Sequence, residues 1–73
     1  MTIAQLRYNH STGRYHIDGD ELHAGDGLRV LICDKDGVAE WTSTRIELSM
    51  DDVWFLTGLP GIQMDGLWAQ RLA

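Results

Sequence analysis

The sequence predicts an all-β domain, and three features of the chain support this. Turn-forming segments rich in Gly, Asp and Asn recur at short intervals, at 9–13, 18–21, 24–27, 34–37, 49–52 and 58–61. The stretches between them are short and alternating, β-branched or aromatic, with no long helical pattern. A chain of 73 residues has room for one small domain, residues 1–73. We therefore predict a small, strongly bent sheet or a partly open SH3-like or OB-like barrel of about five to six antiparallel strands.

The strand limits follow from alternation and from the turns. About six strands are expected, near 2–8, 14–17, 28–33, 38–48, 53–57 and 67–72. The segment LRVLIC at 28–33 is apolar on both faces, which predicts the best-buried strand. Asp36 and Gly37 follow it closely, and this pair is a strong signal for a tight hairpin into the next strand.

The segment WTSTRIELS, residues 41–49, alternates most regularly. The even-numbered side chains of this segment, which include Ile46 and Leu48, are expected in the core. Met50, directly after the segment, continues the same face. Arg45 and Glu47 then point to solvent, and so does Trp41 if the strand is regular. Because a small domain usually buries a Trp, and one bulge would turn the ring inward, we expect a bulge before Arg45 and a buried Trp41.

Composition limits the function classes. Eleven Asp and Glu against six Lys and Arg give a net charge of -5, which repels a phosphate backbone at long range and favours partners with a basic surface. The single Cys33 cannot form an internal disulfide, and no signal-peptide pattern opens the chain, so a cytoplasmic location is expected. No apolar run is long enough to span a bilayer, so no membrane partner is expected.

The chain lacks the spacing of a metal or catalytic site. His10, His16, His23 and Cys33 are separated too widely for the paired ligands of a zinc knuckle. The turn aspartates do not follow a calcium loop, since Asp and Gly are missing at the required positions. Cys33 is followed by an acidic turn, which is not the kind of neighbour that activates a thiolate. We therefore expect no enzyme, no metal and no cofactor.

Four segments of the chain form a recognisable set: LHAGD at 22–26, WTSTRIE at 41–47, WFLTG at 54–58 and DGL at 65–67. Together they resemble the family called domain of unknown function 5348. Its members are short bacterial chains with an L-H-x-G-D turn, a W-x-x-x-R-I-E strand, a W-Y-L-x-G strand and a closing D-G-L strand. The resemblance covers residues 15–71 and implies a shared fold but no activity.

Two positions depart from that family pattern. Phe55 stands where the pattern has Tyr, and WAQR at 68–71 stands where a V-R-like pair is more usual. Members of this family tend to occur among the small proteins of phages and mobile elements, and the resemblance implies a similar origin for this chain.

Acidic turns suggest one function. Eight carboxylates lie in three groups: Asp18, Asp20, Glu21 and Asp26; Asp34 and Asp36; Asp51 and Asp52. Alternate turns of a small barrel meet at one end, so two groups are able to form a negative patch. We predict from this a non-enzymatic inhibitor, anti-CRISPR-like or anti-restriction-like, whose patch occupies the basic groove of a nucleic-acid-handling complex.

Two other functions stay open. The arginines are interleaved with aromatic residues: Arg7, Arg14, Arg29, Arg45 and Arg71, with Tyr8, Tyr15, Trp41 and Trp68. If the arginines converge on one face, a small barrel of this kind binds single-stranded nucleic acid, and the alternative recognition face is Trp41, Arg45 and Glu47. The third hypothesis is a structural or self-associating module, present as a monomer or a small homo-oligomer.

Overall fold

The computed structural model describes residues 2–72, which form seven β-strands and no helix. The strands are β1 (Ile3–Asn9), β2 (Arg14–Ile17), β3 (Asp20–Glu21), β4 (Gly27–Cys33), β5 (Ala39–Leu48), β6 (Trp54–Leu56) and β7 (Trp68–Arg71). They form one antiparallel sheet in the order β3-β2-β1-β7-β4-β5-β6, which is open and does not close into a barrel. The all-β prediction is confirmed, in its bent-sheet form.

The prediction of about six strands missed β3. This strand has two residues, and it pairs with β2 through His16↔Glu21 and Ile17↔Asp20. Its sequence is acidic and lies between glycine turns, so it carries no apolar alternation that would mark a strand.

The last strand in chain order, β7, lies in the middle of the sheet. It pairs with β1 through Gln5↔Trp68 and with β4 through Arg29↔Gln70. The pairing with β1 extends beyond the strand, because Leu6 N donates to Leu67 O at 2.6 Å. Strand β7 therefore joins the β1–β3 half of the sheet to the β4–β6 half.

The hairpin between β4 and β5 forms where the Asp-Gly pair predicts it. Asp34 Oδ1 accepts hydrogen bonds from the backbone N–H groups of Asp36 and Val38, both at 2.9 Å. Gly37 has a φ of 81°, a conformation that glycine adopts without a Cβ penalty. The two strands then pair without interruption from Cys33↔Ala39 to Gly27↔Arg45.

Aliphatic side chains form the core on one face of the sheet. The buried hydrophobic residues are Leu6, Ile17, Leu22, Leu28, Val30, Ile46, Leu56, Met64 and Ala69. Ile46 is buried as predicted, but the prediction was wrong for Leu48, which is 40% exposed, and for Met50, which is fully exposed. The reason is that β4 begins opposite Arg45, so the end of β5 runs past the layer that covers the core.

Two side-chain hydrogen bonds tie β6 and the residue after it to the rest of the sheet. Trp54 on β6 donates its indole N–H to Gly13 O in the β1–β2 turn at 2.8 Å. Thr44 on β5 donates its hydroxyl to Thr57 O, just after β6, at 2.7 Å. Strand β6 lies at one edge of the sheet, so the Trp54 bond brings that edge to the other half of the molecule. No helix over residues 2–72 has the length and apolarity needed to cross a membrane.

Candidate functional site

Trp41 lies on the solvent side of β5. The expected bulge is absent, because the register with β4 runs unbroken past Leu31↔Trp41, and the side chain is 37% exposed. The prediction of a buried Trp41 was therefore wrong. The physical reason is that aliphatic residues already fill the core, while the Arg29 guanidinium covers one face of the indole at 4.5 Å.

Trp41 belongs to a larger surface, which we call the outer face. It comprises the side chains of the four central strands that point away from the core. These are Ile3, Gln5 and Arg7 on β1, Trp68 and Gln70 on β7, Arg29 and Leu31 on β4, and Trp41, Ser43 and Arg45 on β5. The outer face has three arginines, and the alternation of β5 brings one carboxylate, Glu47, to its margin.

The sheet register aligns the two exposed indoles in one row. Gln5 is opposite Trp68, and Leu31 is opposite Trp41. Strand β7 also pairs with β4, and this pairing includes Val30↔Ala69. Continuing the register by one residue places Leu31 beside Trp68. We call these four residues the aromatic row. Its two indoles are two strands apart, which is about 10 Å at the usual strand spacing.

Neutral acceptors hold two of the outer-face arginines in place. Arg7 Nη2 donates to Gln5 Oε1 at 2.6 Å, and Arg29 Nε donates to Gln70 Oε1 at 2.7 Å. The Gln5 amide is itself fixed by a bond from Nε2 to Gly66 O at 3.1 Å. An arginine held by an amide oxygen keeps its full positive charge for another partner.

The ion pairs of the protein lie elsewhere. Over residues 2–72 both salt bridges belong to Arg71, whose guanidinium contacts Asp20 Oδ2 at 3.2 Å and Asp26 Oδ2 at 2.8 Å. Within that range the outer-face arginines have no carboxylate partner, and the side chain of Arg45 makes no hydrogen bond. The outer face is therefore locally basic in an acidic protein.

The single-strand hypothesis required the five arginines to converge on one face, and by alternation and register four of them point to the outer side of the sheet. Arg14 on β2 joins Arg7, Arg29 and Arg45, because it pairs with Asn9, which points outward from β1. Arg71 is the exception, since its alternation places it on the other side, at the end of β7. Glu47, the third residue of the predicted recognition face, lies at the margin, where it pairs with Phe55 on β6.

The first acidic group surrounds a groove. Asp18, Asp20 and Asp26 line a depression of about 760 Å³ together with Arg71 and the end of β2. Arg71 compensates two of these carboxylates, and Asp26 also accepts a hydrogen bond from the backbone N–H of His23 at 2.8 Å. Glu21 is partly buried, and its Oε2 has no hydrogen-bond partner among residues 2–72.

The other two acidic groups are separate from this groove. Asp34 and Asp36 follow β4, whereas Asp26 precedes it, so the length of the strand sets them roughly 25 Å apart. Asp51 and Asp52 lie in the β5–β6 turn, where Ser49 Oγ accepts hydrogen bonds from the backbone. The eight carboxylates thus lie in three separate regions, of which the first includes strand β3, and Asp34 serves as the acceptor that shapes its own turn.

The histidines and Cys33 occupy different places. His10 stacks edge-on against Tyr8 at 4.8 Å, and His16 Nδ1 accepts a hydrogen bond from Gly19 N at 3.3 Å. Cys33 is exposed at the end of β4. In the part of the chain that the structure describes, no three His, Cys, Asp or Glu residues are arranged to hold a metal ion.

Comparison with known proteins gives one match. A family model described as domain of unknown function (DUF5348) matches residues 4–70, all but three residues at each end. The chain belongs to DUF5348. No curated protein and no solved structure gives a significant match. Membership in DUF5348 gives the chain a family without an assigned activity.

The segments that carry the likeness to DUF5348 divide between the core and the surface. Leu22, Ile46 and Leu56 are core residues, and Gly66 N donates to Leu6 O at 2.7 Å. In WTSTRIE the core takes Thr44 and Ile46, while Trp41 and Arg45 lie on the outer face.

Sequence reasoning missed the residues that organise the outer face. Gln5 and Gln70 carry no chemical signature of their own, and Arg29, although counted among the five arginines, lies in the segment predicted to be the best-buried strand. The only sequence signal is that Gln5 is two residues from Arg7 and Gln70 two residues from Trp68, on the same face of each strand. That signal becomes useful only when the order of the strands is known.

Proposed function

We propose that this member of DUF5348 is a non-enzymatic binding protein whose outer face binds single-stranded nucleic acid. One observation carries the proposal: two exposed tryptophans share the outer face with arginines that have no carboxylate partner. Two of these arginines are held by glutamines, and one of the two also covers an indole. Proteins that bind single strands combine such cations for the backbone with aromatic rings for the bases.

The net charge of -5 does not count against this surface. Nine of the eleven carboxylates lie in turns, in loops or on the edge strand β3, and the other two, Glu40 and Glu47, are on β5. The outer face presents Arg7, Arg29 and Arg45. At physiological salt, charges further apart than about 8 Å are largely screened, so the local surface decides whether a phosphate binds.

The test is binding of a fluorescein-labelled, single-stranded octanucleotide, followed by anisotropy. The double variant Arg29→Gln/Arg45→Gln removes two outer-face charges, and we expect at least roughly tenfold weaker binding. Lys35→Gln is the matched control, because it removes one charge from the exposed β4–β5 turn, away from the outer face.

The proposal predicts micromolar or tighter binding by the unmodified protein and little change for Lys35→Gln. Absence of binding at low salt would refute it. Equal losses for Lys35→Gln and for the single variants Arg29→Gln and Arg45→Gln would also contradict it, because nonspecific attraction to any cation would then explain the binding.

The acidic inhibitor stays a second proposal, supported by the groove that Asp18, Asp20 and Asp26 line. Two facts weaken it: Arg71 neutralises part of the groove, and Asp34 is engaged in its own turn. Its test is a bacterial pull-down with the protein and with Asp18→Asn/Asp20→Asn, which neutralises two carboxylates of the groove. Salt-sensitive capture of a basic nucleic-acid-handling protein that this variant loses would favour the inhibitor.

Self-association is a third proposal. Edge strand β6 carries Phe55, which is 42% exposed, and the adjoining turn carries Met50 and Val53, both exposed. Light scattering of the purified protein tests it, because a stable dimer would show about twice the monomer mass. We propose a cytoplasmic location for all three functions, consistent with the single free cysteine.

A further inference from the structure

We infer that a bound single strand crosses the sheet along the aromatic row, with one base at Trp68 and another at Trp41, and that its sequence is not read. This inference rests on the proposed function and adds the direction, the footprint and the selectivity of the site. It follows from the register of the four central strands and from the hydrogen bonds on the outer face.

Spacing sets the footprint. The backbones that carry the two indoles are about 10 Å apart, whereas consecutive nucleotides of a helical stack are separated by about 3.4 Å along the axis. Two neighbouring bases of a regular stack therefore cannot occupy both indoles. The strand has to be extended, with at least one nucleotide over Leu31 between the two stacked bases. A duplex cannot adopt this arrangement without unpairing.

The two stacking positions differ in chemistry. Trp68 is 49% exposed, and no ring or cation contacts its indole among residues 2–72. Trp41 carries the Arg29 guanidinium over its ring, and Gln70 fixes that guanidinium through Nε. A base at this second position stacks on the guanidinium plane, so the stack consists of base, arginine and indole. Arg29 also supplies positive charge between the two positions.

The two glutamines of the outer face, which would read adenine edges, are already engaged. A glutamine recognises adenine through its amide N–H and oxygen together. Gln5 uses its oxygen for Arg7 and its nitrogen for Gly66 O, and the oxygen of Gln70 accepts from Arg29. Stacking and phosphate contacts remain, and both tolerate any base.

Oligothymidylates of two, four and eight nucleotides test the footprint, with a hairpin duplex of eight base pairs as the comparison. We expect the tetramer to bind at least roughly tenfold more tightly than the dimer, because only the tetramer reaches both indoles. We expect the duplex to bind at least roughly tenfold more weakly than the octamer. Tetramers of A, C and T should agree within about fivefold.

Single substitutions show whether one strand uses both positions. Trp68→Ala should weaken tetramer binding about tenfold but dimer binding only about twofold, because a dimer can still occupy the other position. Phe55→Ala is the control, since Phe55 is an exposed aromatic residue outside the aromatic row. Thermal unfolding and near-ultraviolet circular dichroism confirm that each variant is folded.

Three results would overturn the inference while leaving the proposed function standing. They are equal affinities for dimer and tetramer, duplex binding as tight as octamer binding, and a strong preference for one base. If no oligonucleotide binds at low salt, the proposed function fails and this inference fails with it.

Discussion

The three tryptophans have three different environments, which separate one structural tryptophan from two candidates for binding. Trp54 donates its indole N–H to Gly13 O and is partly buried. Trp41 is covered on one face by Arg29, whereas Trp68 is nearly half exposed. An exposed indole loses the free energy that burial would provide, so two of them in one row on a small protein favour a binding role.

Tyr15 leads to a prediction about pH. Burial, followed by the negative charges of Asp65 and Tyr8, raises the pKa of Tyr15 above its ordinary value of 10.0. The folded state therefore holds this proton more tightly than the unfolded state. The associated stabilisation is complete below pH 10 and is lost as the pH rises through the folded pKa.

We expect the free energy of unfolding to fall above about pH 10, and to fall less steeply in Tyr15→Phe. Urea denaturation at several pH values between 8 and 11 measures both slopes. Identical slopes for the two proteins would show that Tyr15 is not the group responsible.

At the scale of elements, strand β5 depends on a single buried hydroxyl. Thr44 is 9% exposed, and its Oγ1 donates to Thr57 O at 2.7 Å, which ties β5 to the end of β6. Thr44→Val keeps the shape of the side chain but removes this donor. We expect a loss of about 1 kcal/mol in the free energy of unfolding, measured by urea denaturation.

Thr42→Val is the matched control for that substitution. Thr42 is on the same face of β5 and is partly buried, and its hydroxyl makes no hydrogen bond within residues 2–72. We expect its replacement to change the free energy of unfolding by less than about 0.5 kcal/mol. Equal losses for the two variants would mean that the Thr44–Thr57 bond contributes nothing specific.

The indole bond of Trp54 gives a second prediction for the elements. Trp54→Phe keeps an aromatic ring but removes the N–H that reaches Gly13 O. We expect faster hydrogen exchange at the β6 edge, including the Thr57 N–H that bonds to Arg45 O, corresponding to about 1 kcal/mol less protection. Exchange in the centre of β4 should change less, and uniform acceleration over the whole sheet would contradict a local role.

Local signals predicted most elements, but they did not predict how the strands are arranged. The β4–β5 hairpin follows from Asp36 and Gly37, because turn chemistry acts over a few residues. The central position of β7 depends on pairing with strands that are distant in sequence, and alternation contains no information about such partners.

The same limit applies to the candidate site. Trp41 and Arg45 were recognised as a face, but Arg29 and Trp68 join that face only through the order β7-β4-β5. The prediction of a buried Trp41 relied on the general tendency of small domains, and the stacked Arg29 is the local contact that overrides it.

At the scale of the whole molecule, charge is segregated between the outer face and the turns. An excess of carboxylates keeps a small protein soluble and opposes association of its own copies. The arginines in the centre of the sheet remain available because no carboxylate contacts them over residues 2–72. A single net charge therefore describes this protein poorly.

This segregation predicts a defined dependence of binding on salt. If Arg7, Arg29 and Arg45 each contact one phosphate, the logarithm of the association constant should fall with the logarithm of salt concentration with a slope of about -2. Anisotropy titrations between low and physiological salt measure the slope, and Arg45→Gln should make it shallower by about 0.7. A slope near zero would indicate that stacking alone provides the affinity.

The central position of β7 also has a consequence for the order of folding. Residues 68–71 come after every other strand in the chain, yet they alone connect β1 to β4. Until they are synthesised and dock, the chain consists of two hairpin systems with no shared hydrogen-bonded ladder. A ribosome-bound chain therefore exposes two unpaired strand edges, and the outer face, whose middle is Trp68 and Gln70, comes into being only in the last step.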